Sequence, residues 1–490
     1  MISMDSAPRL RPDVFVVPSG RGTAYVRSST GTDLIAAPGI AAWIDRLAPF
    51  LDGARTVGQL LDGLDDARRA AVLGVLERLD GHGLLEDLAD PGPALRASAY
   101  TRLRVLVVGP QPAADALADA LRLTGADPAA LLTDHARAEA AVSSGGYDAL
   151  LLAADGGSSD GDPLRVARLD EHCRRNGTWF AAAVRDPNAW WIGPVLAPGP
   201  DRTEGGRLGG WLGAWLRLHG NGPATFTRPV GPEGSEVAAA LLAHHFHQAL
   251  TAEVPPEVGE LIRLDAAVPA TGRHRYRPHF AALPAAPETE AEFRAKIESL
   301  RAGAPVDPEE LSRRAAGCID PRTGLIAELD EGALPQFPRR ASTALVRDPL
   351  APAGRDHLVR VHGVGPDFTS ARLRTARRAL EVYGQLASDP RRFTPTPDGP
   401  AVWAWSPEDG TARLVPAVAV YGRGPRPPRG LGSGMTFDAA VTAARHDLRG
   451  SGRSAGRPGA ALPALVVPLD HDPAATRVLP YLLKAVNPDD

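Results

Sequence analysis

RVLVVGPQPAADALADALRLTG, residues 104–125, is the stretch that sets the fold class. Four aliphatic residues, Val105–Val108, end at Gly109, and an Ala/Leu-rich run over 113–123 closes on Gly125. A short apolar run stopped by a turn former is a buried strand, and the 3.6-residue spacing after it is a helix. Residues 147–154, ending at Asp155, and residues 179–184, after a helix expected over 164–176, read as two further buried strands. Strands alternating with helices argue a parallel sheet of the nucleotide-binding type. The phosphate-binding fingerprint is missing, however. Such a turn uses glycines so that backbone N–H groups approach phosphate, and here Pro110 and Pro112 remove two donors. ATP is not expected to bind at this turn.

Upstream, the periodicity changes. Residues 14–18, 23–28 and 32–37 are β-type segments separated by Ser19-Gly20-Arg21-Gly22 and by 29–31, a small antiparallel meander. Helical spacing follows: Ile40, Trp43, Ile44, Leu47 and Leu51 on one face, a second helix capped by Thr56, and a third starting at Asp65 or Asp66. The third carries Val72, Leu73, Leu76 and Leu79 and stops at Gly81-His82-Gly83. Three strands followed by three helices within about ninety residues make a small winged helix. Residues 87–98, with Pro91-Gly92-Pro93, read as a linker.

The bulk numbers bound the alternatives. At 490 residues, with ~150 per domain, about three domains are expected. Hydrophobic content of 44% and charged content of 23% are globular values, so wholesale disorder is excluded. A net charge of -4 argues against nucleic acid as the main partner. Two cysteines, Cys173 and Cys318, and no CxxC pair exclude a disulfide scaffold and a cysteine-rich zinc site. His244, His245 and His247 lie on a helix-like segment without acidic or thiol company and read as a surface cluster. The N-terminus has no apolar core behind a basic head, and no apolar run is long enough to span a bilayer, so a cytoplasmic protein with no membrane partner is expected.

Three resemblances refine this reading. RPDVFVV (11–17), TVGQLLDGL (56–64) and GLL (83–85), in this order, resemble the PqqD-like recognition element of ribosomal peptide biosynthesis. That resemblance implies that a leader peptide adds a strand at Asp33, Leu34 and Ile35 and packs on Arg68, Arg69, Val72 and Leu76 of the third helix, which is β-augmentation. The plainer reading makes the apolar residues core and the arginines a solvated face. WIGPVLAPG (191–199) and RHRYRPH (273–279) resemble segments of ThiF-like, E1-like adenylating proteins. In their cyclodehydratase relatives zinc-binding CxxC pairs follow, and residues 205–218 and 280–287 hold no cysteine. DPRTGLI (320–326), GVGPDFTSARLRTARRALEVYG (363–384), LVPAVAVY (414–421) and GLGSGMTFDAAVTAA (430–444) are similar to the YcaO family of ATP-dependent cyclodehydratases.

An active site of that family needs several carboxylates to hold Mg²⁺ on nucleotide phosphates. Here Arg378 falls at the first acid position of its ExxER group, Glu381 survives, and Val382 replaces the arginine. Asp447 stands for one acid on the next helix, and Gly450 falls where another is due. Glu381 and Asp447 are thus vestigial nucleotide-site candidates. The expected architecture is multidomain α/β: a winged helix over 1–90, a degenerate E1-like Rossmann-type domain over 101–282, and a degenerate partial YcaO-like α+β domain over 289–490. The expected function is a non-catalytic partner of azole-forming (TOMM or thiopeptide) cyclodehydratases. It carries no catalytic residue, cofactor or metal. Its partners are a precursor leader peptide and a separate YcaO enzyme, and a homodimer is allowed. Two rivals stand beside it: a residual ATP-dependent cyclodehydratase or adenylating enzyme, and a winged-helix DNA-binding protein.

Overall fold

Capping chemistry and apolar spacing set the element boundaries in the computed structural model. It describes residues 2–11, 14–18, 23–28, 31–35, 39–90, 92–155, 162–186, 189–198, 210–219, 234–251, 259–265, 270–351, 358–422, 429–449 and 464–487. The chain divides into two compact units, Met1–Tyr100 with Thr251–Glu253, and Thr101–Leu250 with Val254–Asp490. No helix among the described residues is long and apolar enough to cross a membrane.

The first unit opens with β1 (Pro8–Leu10) and the antiparallel strands β2 (Phe15–Pro18), β3 (Ala24–Ser28) and β4 (Gly31–Ile35), ordered β2-β3-β4. The turn residues at 19–22 and 29–30 lie outside the described residues. Helices α1 (Ile40–Leu47), α2 (Val57–Leu61) and α3 (Asp66–Gly81) follow. Thr56 and Gln59 form a capping box on α2, and Asp65 accepts from Arg68 N at the start of α3, so donors with no intrahelical partner are satisfied. Ala24, Val26 and Ile35 of the sheet pack against Ile44, Val57, Leu61, Leu76 and Leu79. Three elements were not anticipated, β1 among them. β5 (Leu85–Asp87) pairs antiparallel with β1, reinforced by Arg9 and Glu86. The stretch read as a linker carries α4 (Gly92–Tyr100), because Asp90 accepts from Gly92 N and a proline in the first turn has no intrahelical N–H to lose.

The second unit begins with β6 (Val105–Val108), α5 (Ala113–Thr124), β7 (Pro128–Leu132), α6 (His135–Ser143), β8 (Ala149–Asp155), α7 (Pro163–Arg175), β9 (Trp179–Asp186) and β10 (Ala189–Leu196). It continues through α8 (Gly210–His219), α9 (Ser235–Thr251), β11 (Gly259–Asp265) and β12 (Thr271–Tyr276). The seven strands form one mixed sheet ordered β12-β11-β10-β9-β8-β6-β7, with β6 to β9 parallel and the rest antiparallel. The expected parallel α/β core is present; β7 and α6 had no apolar run strong enough to announce them. α8 occupies 210–219, and the stretch 205–209 lies outside the described residues. The histidines need correction. His244 is exposed, but His245 is buried beside Gly193, and burial pushes its pKa down. Cys173 and Cys318 are both buried, and they are not joined in a disulfide.

The remainder holds α10 (Glu290–Ala302), α11 (Pro308–Ala316), β13 (Ile326–Asp330), β14 (Arg340–Arg347), β15 (Leu358–Gly365) and α12 (Phe368–Leu386). After these come β16 (Thr394–Thr396), β17 (Gly399–Trp405), β18 (Ala412–Pro416), α13 (Ala417–Tyr421), β19 (Leu431–Ser433), α14 (Phe437–Arg449), β20 (Leu465–Pro468), α15 (Pro473–Thr476) and β21 (Leu482–Val486). β13-β14-β15 form one antiparallel sheet, and β16-β17-β20-β21-β19 a second, with β18 on β17. Residues 412–421, read as one strand, turn helical at Ala417, where Pro416 cannot extend the ladder. Residues 320–325 form a turn fastened to β12. His274 Nδ1 lies 3.1 Å from both Asp320 carboxylate oxygens, and Thr323 Oγ1 donates to Arg275 O.

A buried polar cluster joins these two halves of the second unit. Arg217 on α8 bonds the Tyr383 hydroxyl, Asp472 Oδ2 at 3.0 Å, and the carbonyls of Arg277 and Pro278. The Tyr383 hydroxyl donates to Asp472 Oδ2 at 2.6 Å, and Asp472 Oδ1 accepts from Ala474 N. Arg217 and Asp472 are 2% and 1% exposed. Such a pair is tolerated in the interior because the guanidinium and the carboxylate each have further partners besides one another.

Candidate functional site

The carboxylates singled out in the sequence meet in one groove. Arg378 and Glu381 are three residues apart on α12 and so share a face. Asp438, His446 and Asp447 come from α14, and Leu431 of β19 forms the floor between the helices. The groove encloses about 830 Å³. The glycine-rich segments beside it serve close packing. A Cβ on Gly432 would lie 2.1 Å from Ala444 N, and one on Gly363 would lie 2.4 Å from Thr375 Oγ1. Helix and strand backbones approach so closely there that only glycine fits. Neither segment is a phosphate loop.

Both acids already have donors from this chain. Glu381 Oε1 accepts from Ser433 Oγ at 2.6 Å, and Oε2 from Arg378 NH1 at 2.9 Å. Asp447 Oδ2 accepts from Leu431 N at 2.9 Å and lies 3.9 Å from Arg378 NH1. Arg377 bonds Ser433 through Oγ and O, fixing the hydroxyl that reaches Glu381. A guanidinium therefore stands between the two carboxylates, within the space a bridging cation needs. Mg²⁺ requires oxygens at about 2.0–2.1 Å in octahedral array, which this packing does not offer. Among the described residues no group of three or more His, Cys, Asp or Glu is arranged to hold a metal. Val382 is buried and points into the core, and Gly450 lies outside the described residues.

The turn after β6 is likewise closed to phosphate. Gly109 N donates to Leu132 O, Pro110 and Pro112 have no N–H, and Pro112, at the N-cap of α5, supplies no side-chain cap. A Cβ on Gly109 would lie 2.3 Å from Ala153 O, so its glycine serves the approach of β6 to β8.

In the first unit, β4 carries Asp33, Leu34 and Ile35 and pairs with β3 alone among the described residues, which leaves its outer backbone edge open. Ile35 is buried in the core beneath. On α3, Arg68 and Arg69 are exposed, while Val72 and Leu76 are 5% and 0% exposed and belong to the core. Of the four helix positions only the arginines reach the surface. Sequence reasoning missed Ser433, Arg377 and the Leu431 amide. Ser433 and the Leu431 amide carry no charge signal, Arg377 is one of four arginines on α12, and only the fold of β19 between α12 and α14 brings them to the acids. Arg217 did carry a signal: a lone cation within the apolar WLGAWLRL run of α8.

No protein-family profile matches the sequence, and no curated protein matches it. Among solved structures, a heterocyclase in complex with substrate and cofactor superposes with a TM-score of 0.53 at 16% identity, covering 91% of this chain and 70% of that one. The heterocyclase TruD gives 0.45 at 15% identity, over 91% of this chain and 69% of that one. E. coli MccB gives 0.38 at 10% identity, over 55% of this chain and 93% of that one. The first of these shows that the chain shares its fold, over nearly all its length, with a heterocyclase.

Proposed function

We propose that this chain is the non-catalytic, leader-binding partner of a separate YcaO cyclodehydratase in the maturation of azole-containing ribosomal peptides. The observation that carries the reading is Arg378, held 2.9 Å from Glu381 and 3.9 Å from Asp447. A fixed side-chain cation neutralises the acids that a metal–nucleotide complex would need. The fold shared with a heterocyclase supplies the reaction context, and the occupied groove argues that the chemistry is done by another subunit. The first unit then has the recognition role. A winged-helix module with an open edge at Asp33, Leu34 and Ile35, beside Arg68 and Arg69, takes an extended leader as an added strand. Tethering by the leader raises the effective concentration of the core peptide at the enzyme and makes repeated modification intramolecular.

The test is fluorescence-polarisation binding of labelled leader peptides encoded beside the gene, with ATP turnover measured on the same preparation. Micromolar or tighter leader binding, with ATP turnover only after the YcaO enzyme is added, supports the reading. ATP turnover by the isolated chain that disappears in Glu381→Gln overturns it in favour of a residual ATP-dependent enzyme.

A further inference from the structure

The loop between β13 and β14, residues 331–339, lifts Phe337 into solvent, where it is 90% exposed. A lone apolar side chain at the surface needs no explanation, but this one is held in place by its neighbours. Gln336 Nε2 donates to the carbonyls of Leu334 and Ala341 at 3.0 Å each, and its Oε1 accepts from Ala341 N at 2.9 Å. Arg340 NH1 donates to Gln336 O at 2.8 Å, and its guanidinium carbon lies 4.9 Å from the ring centre of Phe368. Phe368, at the start of α12, is 41% exposed, and Val364 of β15 is 42% exposed. Arg374 NH1 donates to Val364 O and ties α12 to that strand. The acids at this end are engaged within the chain. Glu331 accepts from Arg372, Asp367 caps α12 by accepting from Ser370 N, and Asp330 hydrogen-bonds Glu328. Arg339 and Arg340, both exposed, give the tip its charge.

A ring on a fixed loop, with a second ring and two arginines beside it, has the composition of an interface anchor, in which aromatic residues and Arg are enriched. Because Gln336 and Arg340 already order the loop, docking it costs little further conformational entropy. We propose that this tip docks the separate cyclodehydratase, on a folded surface that offers an apolar pocket for Phe337 with carboxylates at its rim for Arg339 and Arg340. The proposal rests on the reading of the chain as that enzyme's partner. A preformed pocket belongs to a folded protein. An extended leader offers its backbone to a strand edge, not a cavity to a ring. Carboxylates at the rim follow from charge complementarity, which sets orientation and speeds encounter more than it adds affinity. The β4 edge then takes the leader, and the Phe337 tip takes the enzyme.

The experiment measures binding of the full chain to the YcaO enzyme encoded beside it, by biolayer interferometry across a salt series. Binding is expected to weaken about tenfold or more in Phe337→Ser, the loss typical of an interface anchor. Arg339→Glu is expected to slow association and flatten the salt dependence. Leu123→Ser, which removes an equally exposed apolar side chain from α5, leaves binding unchanged. Melting temperature and leader binding stay at wild-type values in all three variants, since all three side chains are exposed. If the wild-type chain binds the enzyme and Phe337→Ser binds it equally well, the docking surface is wrong while the partner reading stands. If the wild-type chain does not bind the enzyme, with or without leader, both fail. A wild-type chain that is dimeric by light scattering and monomeric in Phe337→Ser assigns the tip to a second copy and overturns the choice of the enzyme.

Discussion

Arg378 shows how one side chain redirects a site. A glutamate at its place on α12 would join Glu381, Asp438 and Asp447 in one groove; the arginine turns the same face into an internal ion network. Changing either partner of this ion pair is therefore informative. Arg378→Glu is expected to gain Mn²⁺ binding detectable by calorimetry, where the wild-type chain shows none. Glu381→Ala is expected to destabilise the chain by roughly 1–3 kcal/mol, because Ser433 and Arg378 lose their buried acceptor. Denaturant unfolding measures that loss, and no change would mean that water replaces the carboxylate at no cost.

At the level of elements, β4 and α3 separate recognition from stability. Arg68→Glu combined with Arg69→Glu is expected to weaken leader binding about tenfold or more with an unchanged melting temperature, since both side chains are exposed and their pairing with solvent is worth little. Leu76→Ala is expected to cost about 2–5 kcal/mol of stability, which thermal unfolding reads. Loss of leader binding in that variant would follow from unfolding. The same elements show what was legible in the chain. Thr56 and Asp65 announced their helices because capping is a local contact between residues two or three apart. The buried runs of β6, β8 and β9 announced a parallel sheet for the same local reason. β1 and β5 were invisible, each being three residues long and paired with a partner more than seventy residues away in sequence. The acids Glu381 and Asp447 were found because charge on a helix face is readable, but their donors Ser433 and Leu431 N arrive by tertiary folding alone.

The whole molecule responds to pH through histidines that the fold keeps neutral. Burial pushes His219, His279 and His471 down to about 4, helped in His219 by Arg322 and in His279 by Arg217. Their folded pKa values lie below the unfolded value near 6.5, so the unfolded chain takes up protons first as pH falls. Stability is full above about pH 6.5 and declines towards pH 4, by at most roughly 3 kcal/mol per histidine. A melting temperature that stays flat across that window would refute the assignment. Asp472→Ala is expected to cost about 3–5 kcal/mol, because it strands the Arg217 guanidinium in the interior. The same pair bears on how the chain is made. Arg217 and Asp472 are 255 residues apart, so at 5–20 residues per second the ribosome needs roughly 10–50 s between them. Throughout that interval the emerging seven-stranded sheet holds a cation whose counter-ion does not yet exist. A nascent chain halted before Asp472 should stay sensitive to protease and bound to chaperones, and resistance should appear only once the last strands have left the exit tunnel.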